Sequence, residues 1–131
     1  MSLSSLARAS WVHMLFAFLA MGGWAMFANP GHPPPEALRA GLVQGLLSAG
    51  LTFGIKRGLE AMHRRMRGAA AMFAPPSISC ITVLVLLLGA HTLAGTPEIW
   101  ATIAVPFAVS STYAFVYIAG LELRARRARA A

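Results

Sequence analysis

A chain of 131 residues that is 57% hydrophobic, 11% charged and of mean hydropathy +0.64 has room for one domain, and that domain is too apolar for water. The formal charge of +7 raises nucleic acid as a partner, but the basic residues cluster without interleaved aromatics and match no recognition module, so no nucleic acid is expected. A single cysteine, Cys80, excludes an internal disulfide and any CxxC redox or zinc pair.

Four apolar stretches predict an all-α integral membrane protein, with transmembrane helices at residues 11–28, 37–55, 77–95 and 99–120. Each is about 18 to 22 residues, which as helix covers roughly 27 to 33 Å, the depth of a bilayer's hydrocarbon core. The first stretch, preceded by Arg8, also fits a signal peptide, but its apolar run is long for one and Met26-Phe27-Ala28 is a poor cleavage site.

The second stretch begins at Pro35-Glu36, a proline and an acid suited to a helix's positive end. Along it, Gly41, Gly45, Ser48 and Thr52 share a narrow sector with Gln44 at its edge, and Gly50, Gly54 and Gly58 form another small stripe. Small residues let helix backbones approach closely in lipid, so both glycine stripes are expected to pack. Residues 56–76 then read as a basic cytoplasmic loop, either a helical extension or an interfacial helix stopped by Pro75-Pro76, or a solvated connector.

The fourth stretch follows Thr96-Pro97-Glu98, read as N-cap, first-turn proline and first-turn acid. It carries Thr102, Pro106, Ser110, Tyr113 and Tyr117 along one side, with a kink expected at Pro106. Residues 123–131 form an Arg-rich cytoplasmic tail.

Charge sets the expected orientation. Arg8, the 56–76 segment and the tail together hold ten of the eleven basic residues, and Arg39 alone lies at the other side. The positive-inside rule then places both termini in the cytoplasm, in a bacterial inner membrane. Arg64, Arg65 and Arg67, with Arg124, Arg126, Arg127 and Arg129, become contacts for anionic lipid headgroups.

A shift of 62 residues aligns 35–60 with 97–122 at eight of 26 positions, including the PE pair and the triplet GLE, where composition alone gives about two or three. The four acids, Glu36, Glu60, Glu98 and Glu122, fall in two matched pairs. Two hairpin repeats, about 11–60 and 73–122, would enter the membrane the same way, a parallel duplication.

Two readings of the polar helix faces stay open. Gln44, Ser48, Thr52, Pro106, Ser110, Tyr113 and Tyr117 could line a substrate path, or their hydroxyls and amide could hold the helices together. No Asp, Glu, Lys or Arg stands in mid-span, which argues against a carboxylate-carried proton pump. His13 and His91 fall near opposite faces and cannot share one haem. Asn29, His32, Glu36, His91 and Glu98 form an expected outer-face polar group, without the ligand spacing of a metal site.

No nucleophile elbow, P-loop, dinucleotide fingerprint or HExxH sequence is present, so no catalytic residue, cofactor or metal is assigned. In its length, four spans, duplicated hairpin and the segment TFGIKRGLEA, the chain resembles the GtrA-like family of small membrane proteins linked to polyprenyl-carried sugars. It departs from that pattern in having no aromatic-rich ending after the basic pair and no basic pair at Ile118-Ala119. Two functions follow as expectations: transport or flipping of an amphipathic or lipid-linked substrate by a homo-oligomer, or a non-catalytic accessory subunit of a larger membrane complex.

Overall fold

The computed structural model describes the backbone of residues 3–130 and the side chains of residues 11–130. Arg8 and Ala131 therefore have side chains outside the described residues. The fold is all-helical, with 88% of residues in four helices. These are α1 (Leu3–Phe27), α2 (Pro34–Arg65), α3 (Ala69–Leu93) and α4 (Ile99–Ala130). By length and composition α2, α3 and α4 can each cross a membrane, and α1 carries a shorter apolar run over Trp11–Phe27.

The boundaries decide three expectations. The basic 56–76 segment takes the form of a helical extension and not of a loop: α2 runs on to Arg65 and α3 begins at Ala69, so only residues 66–68 connect them. The turn needs a glycine, since Gly68 has φ of 62°. Pro75 and Pro76 do not stop a helix but lie buried inside α3. Each forfeits one backbone hydrogen bond, a loss that membrane helices accommodate through neighbouring helices and local adjustment. The Arg-rich tail is a continuation of α4 through Ala130.

Each helix packs most extensively on its neighbour in sequence, α1 on α2 and α3 on α4, while α2 also meets α3 and α4. Helix α1 touches α4, and among the described residues no contact joins it to α3. Two apolar clusters fill the centre. Val83, Leu87 and Ile103 bring α3 and α4 together against Leu47 and Leu51, and Leu59 meets Ala114 and Ile118 near the basic end.

One glycine stripe does what its spacing implies. A Cβ added to Gly41 would stand 3.0 Å from the Gly22 carbonyl oxygen, and one on Gly45 would stand 2.8 Å from the Phe18 ring. Gly22 completes the crossing from α1, since its own Cβ would come within 2.8 Å of the Gly41 carbonyl oxygen. The second stripe makes no such contact within the chain. Added Cβ atoms on Gly50, Gly54 and Gly58 meet nothing within 4 Å, so these glycines leave a groove open instead of closing a contact.

The two stripes should separate in a detergent thermal melt. Gly45→Leu must displace the Phe18 ring and backbone and should cost about 1 to 3 kcal/mol or dissociate the helices. Gly54→Leu should stay within about 0.5 kcal/mol of the parent.

Candidate functional site: the polar line across α2 and α3

The site begins with the end of α3. Gly95 adopts φ of 63°, a left-handed conformation that glycine reaches without steric cost. It lets the chain fold back, so that the Gly95 amide donates to the Thr92 carbonyl at 3.1 Å and the Thr96 amide to the His91 carbonyl at 3.0 Å. This pair of bonds is the Schellman arrangement. It returns Thr96 to the side of His91, where the hydroxyl lies 2.8 Å from Nδ1. Thr96 therefore serves His91 instead of capping α4.

From His91 the line crosses to α2. Its Nε2 is 2.9 Å from Gln44 Oε1, and Gln44 Nε2 donates to Ser48 Oγ at 2.9 Å. With the Gln44 amide nitrogen directed to Ser48, its oxygen accepts, so His91 donates from Nε2. In the neutral ring Nδ1 then accepts the Thr96 hydroxyl proton. One turn further, Thr52 Oγ1 donates to the Ser48 carbonyl at 2.7 Å. Gln44 and His91 are both 0% exposed, and Ser48 is buried. Their polarity is closed within the bundle.

A second knot ties α1 to the start of α4. Asn29 Nδ2 donates to the Ala25 carbonyl at 2.8 Å and to Thr102 Oγ1 at 2.9 Å, while Oδ1 accepts the Glu98 amide at 3.0 Å. An amide donor just before α4 thus finds its acceptor on another segment, as a helix N-terminus requires. Trp24 adds a link, its indole donating to the Ala101 carbonyl at 3.1 Å. Outside this knot His32 Nε2 lies 3.1 Å from Glu98 Oε1, and Nδ1 is 3.9 Å from Glu36.

The expected outer-face group is therefore divided. His32, Glu36 and Glu98 gather at the surface, Asn29 lies buried beneath them on the Glu98 amide, and His91 lies buried apart with Gln44 and Thr96. Among the described residues no cluster of His, Cys, Asp or Glu is arranged to hold a metal ion.

The α4 members of the suggested path lie apart from the Gln44 line in their bonding. Ser110 donates to the Pro106 carbonyl at 2.7 Å, and Pro106 is buried. Tyr113 is 42% exposed and stacks on Tyr117, with ring centroids 5.5 Å apart. The Tyr117 hydroxyl donates to Glu60, and His63 Nε2 reaches Glu122 at 3.1 Å. Arg126 and Arg129 also approach Glu122, at 3.7 and 3.8 Å. These partners tie the far end of α2 to that of α4.

Sequence reasoning missed the Gln44–His91 bond. A signal existed, because an amide on a packing face needs a partner and only His91 and Thr92 are polar in α3 beyond Thr82. The Asn29–Thr102 and Tyr117–Glu60 links had no such pattern to announce them. Comparison with family models, curated proteins and solved structures finds no match. The resemblance to GtrA-like proteins thus assigns neither fold nor activity.

A double-mutant cycle tests whether Gln44 and His91 act as one unit. Gln44→Leu and His91→Leu should each cost about 1 to 3 kcal/mol by stranding the other's polar group. The double variant should cost less than their sum by at least about 0.5 kcal/mol in the same thermal melt, where independent sites would add.

Proposed function

We propose that the chain is a four-span protein of the bacterial inner membrane, with α1 as the further span and both termini in the cytoplasm. The ten-to-one distribution of basic residues supports this orientation. Two parallel hairpin repeats explain why matched acids sit at matched ends. Glu36 and Glu98 flank His32 at one end, while Glu60 and Glu122 bond to Tyr117 and His63 at the other.

Within that membrane the protein acts as a non-catalytic accessory or assembly subunit of a larger complex. The observation that carries this reading is the closure of Gln44 on Ser48 and His91 at 0% exposure. Gln44, Ser48 and His91 are occupied with each other, and among the described residues Ser111 Oγ on α4 is the buried side-chain polar atom left without a partner. The surfaces left to act are external, chiefly the groove of Gly50, Gly54 and Gly58 and the outer side of α4.

A second reading, transport or flipping of an amphipathic or lipid-linked substrate by a homo-oligomer, draws on that same outer side of α4. Tyr113 lines a shallow surface depression there with Thr112, and such a face would form a path only between protomers.

Reporter fusions, native mass spectrometry in mild detergent and complementation divide these readings. Reporters at residues 66–68 and after residue 131 should read cytoplasmic, and those at Gly31 and Gly95 external. The intact assembly should contain a different membrane protein at fixed stoichiometry, and the activity of Gln44→Leu should fall only as far as its folded amount does. A homo-oligomer alone, with Gln44→Leu folded but inactive, would favour transport.

A further inference from the structure

We propose that the groove between α2 and α3 is a binding site for one anionic glycerophospholipid, an acyl chain lying against the glycines and the phosphate among Arg64, Arg65 and Arg67. This rests on the membrane reading above and gives the anionic-lipid contact a specific place.

The groove has a volume of about 260 Å³ and is walled by Gly50, Gly54 and Gly58 on α2 and by Ile78, Ser79 and Thr82 on α3. From Gly50 to Met62, its furthest lining residue along α2, the helix rises about 18 Å. The groove continues past residue 55, the expected end of the span, so its inner part lies at acyl-chain depth and its outer part at headgroup depth. That placement suits a lipid of one leaflet.

Its lining is mostly apolar, since Thr82 Oγ1 is already committed to the Ile78 carbonyl at 2.8 Å and Ser79 is the other hydroxyl in the wall. The glycines offer backbone at close range to whatever lies there. A slender chain can enter such a slot, while a helix about 10 Å across would have to sit over it.

Charge identifies the occupant. The groove runs toward the short connection at residues 66–68, and α2 carries Arg65 eleven residues beyond Gly54, within about 20° on the helix. Arg64 and Arg67 lie beside it in sequence. All three are exposed, and none forms an ion pair with an acid among the described residues. Arg126 and Arg129, by contrast, already face Glu122. A second copy in the same orientation would bring its own three arginines to this level, so like charge disfavours it. A lipid phosphate neutralises them.

The test uses the full-length protein, delipidated in detergent, with native mass spectrometry reading bound lipid. The probes are phosphatidylglycerol and phosphatidylcholine of identical chains, and inorganic phosphate. One phosphatidylglycerol should bind at least about tenfold more tightly than phosphatidylcholine, given the attraction of each arginine for anionic headgroups. Gly54→Leu should remove that preference while the melting temperature holds. Arg65→Gln combined with Arg67→Gln should do the same, and Arg126→Gln should leave it intact.

Equal binding of the two lipids would overturn the site, as would full retention of phosphatidylglycerol by Gly54→Leu. So would inorganic phosphate displacing the lipid at equal concentration, which would mark an anion site without a groove. Loss of self-association in Gly54→Leu with lipid binding unchanged would assign the groove to a second copy and also overturn the proposal. Because binding is read in detergent, a reversed topology in the reporter fusions would refute the orientation without altering this result.

Discussion

The bond between Gln44 and His91 is the contact on which the interior depends. A bilayer core supplies no water, so an amide and an imidazole carried into it must satisfy each other or incur a large desolvation cost. Here they meet at 2.9 Å across two helices, both fully buried. Everything around them serves that meeting. Gly95 turns the chain so that Thr96 completes the imidazole, Ser48 takes the amide proton, and Gly41 and Gly45 let α1 lie close behind α2.

The ends of the bundle obey a different rule, because water and headgroups are within reach there. Acids and histidines pair across helices, with Glu98 on His32 at one end and Glu122 on His63 at the other. Such pairs are worth less than the buried bond when they stand exposed. They fix which helix ends lie together. Among the described residues no acid pairs with Arg64, Arg65 or Arg67, and the proposed affinity of the basic end for anions rests on that imbalance.

How much of this was legible in the sequence depended on the kind of force involved. The three helices long and apolar enough to cross a membrane, α2, α3 and α4, followed from apolar length, since hydropathy acts locally and can be counted along the chain. The Gly41–Gly45 contact also followed from spacing, because the need for close approach is written in side-chain size. At Gly50, Gly54 and Gly58 the same spacing leaves space that no other helix of the chain fills, so spacing alone does not say what lies against it. Pro75-Pro76 misled for a related reason: the rule that proline ends helices weighs local hydrogen bonds, whereas burial of both rings in α3 is decided by tertiary packing. Gln44 and Ser48 were recognisable as polar intrusions, but their partner lies 47 residues from Gln44 in sequence, and no local pattern encodes that distance.

Water contact at Gln44 is the most direct test of this closed interior. In bilayers, water-edited solid-state NMR should show polarisation from water reaching the Arg64 side chain at short mixing times while the Gln44 amide and the His91 ring remain dark. Rapid build-up of water polarisation on Gln44 or His91 would contradict it, showing that the line across α2 and α3 is wet.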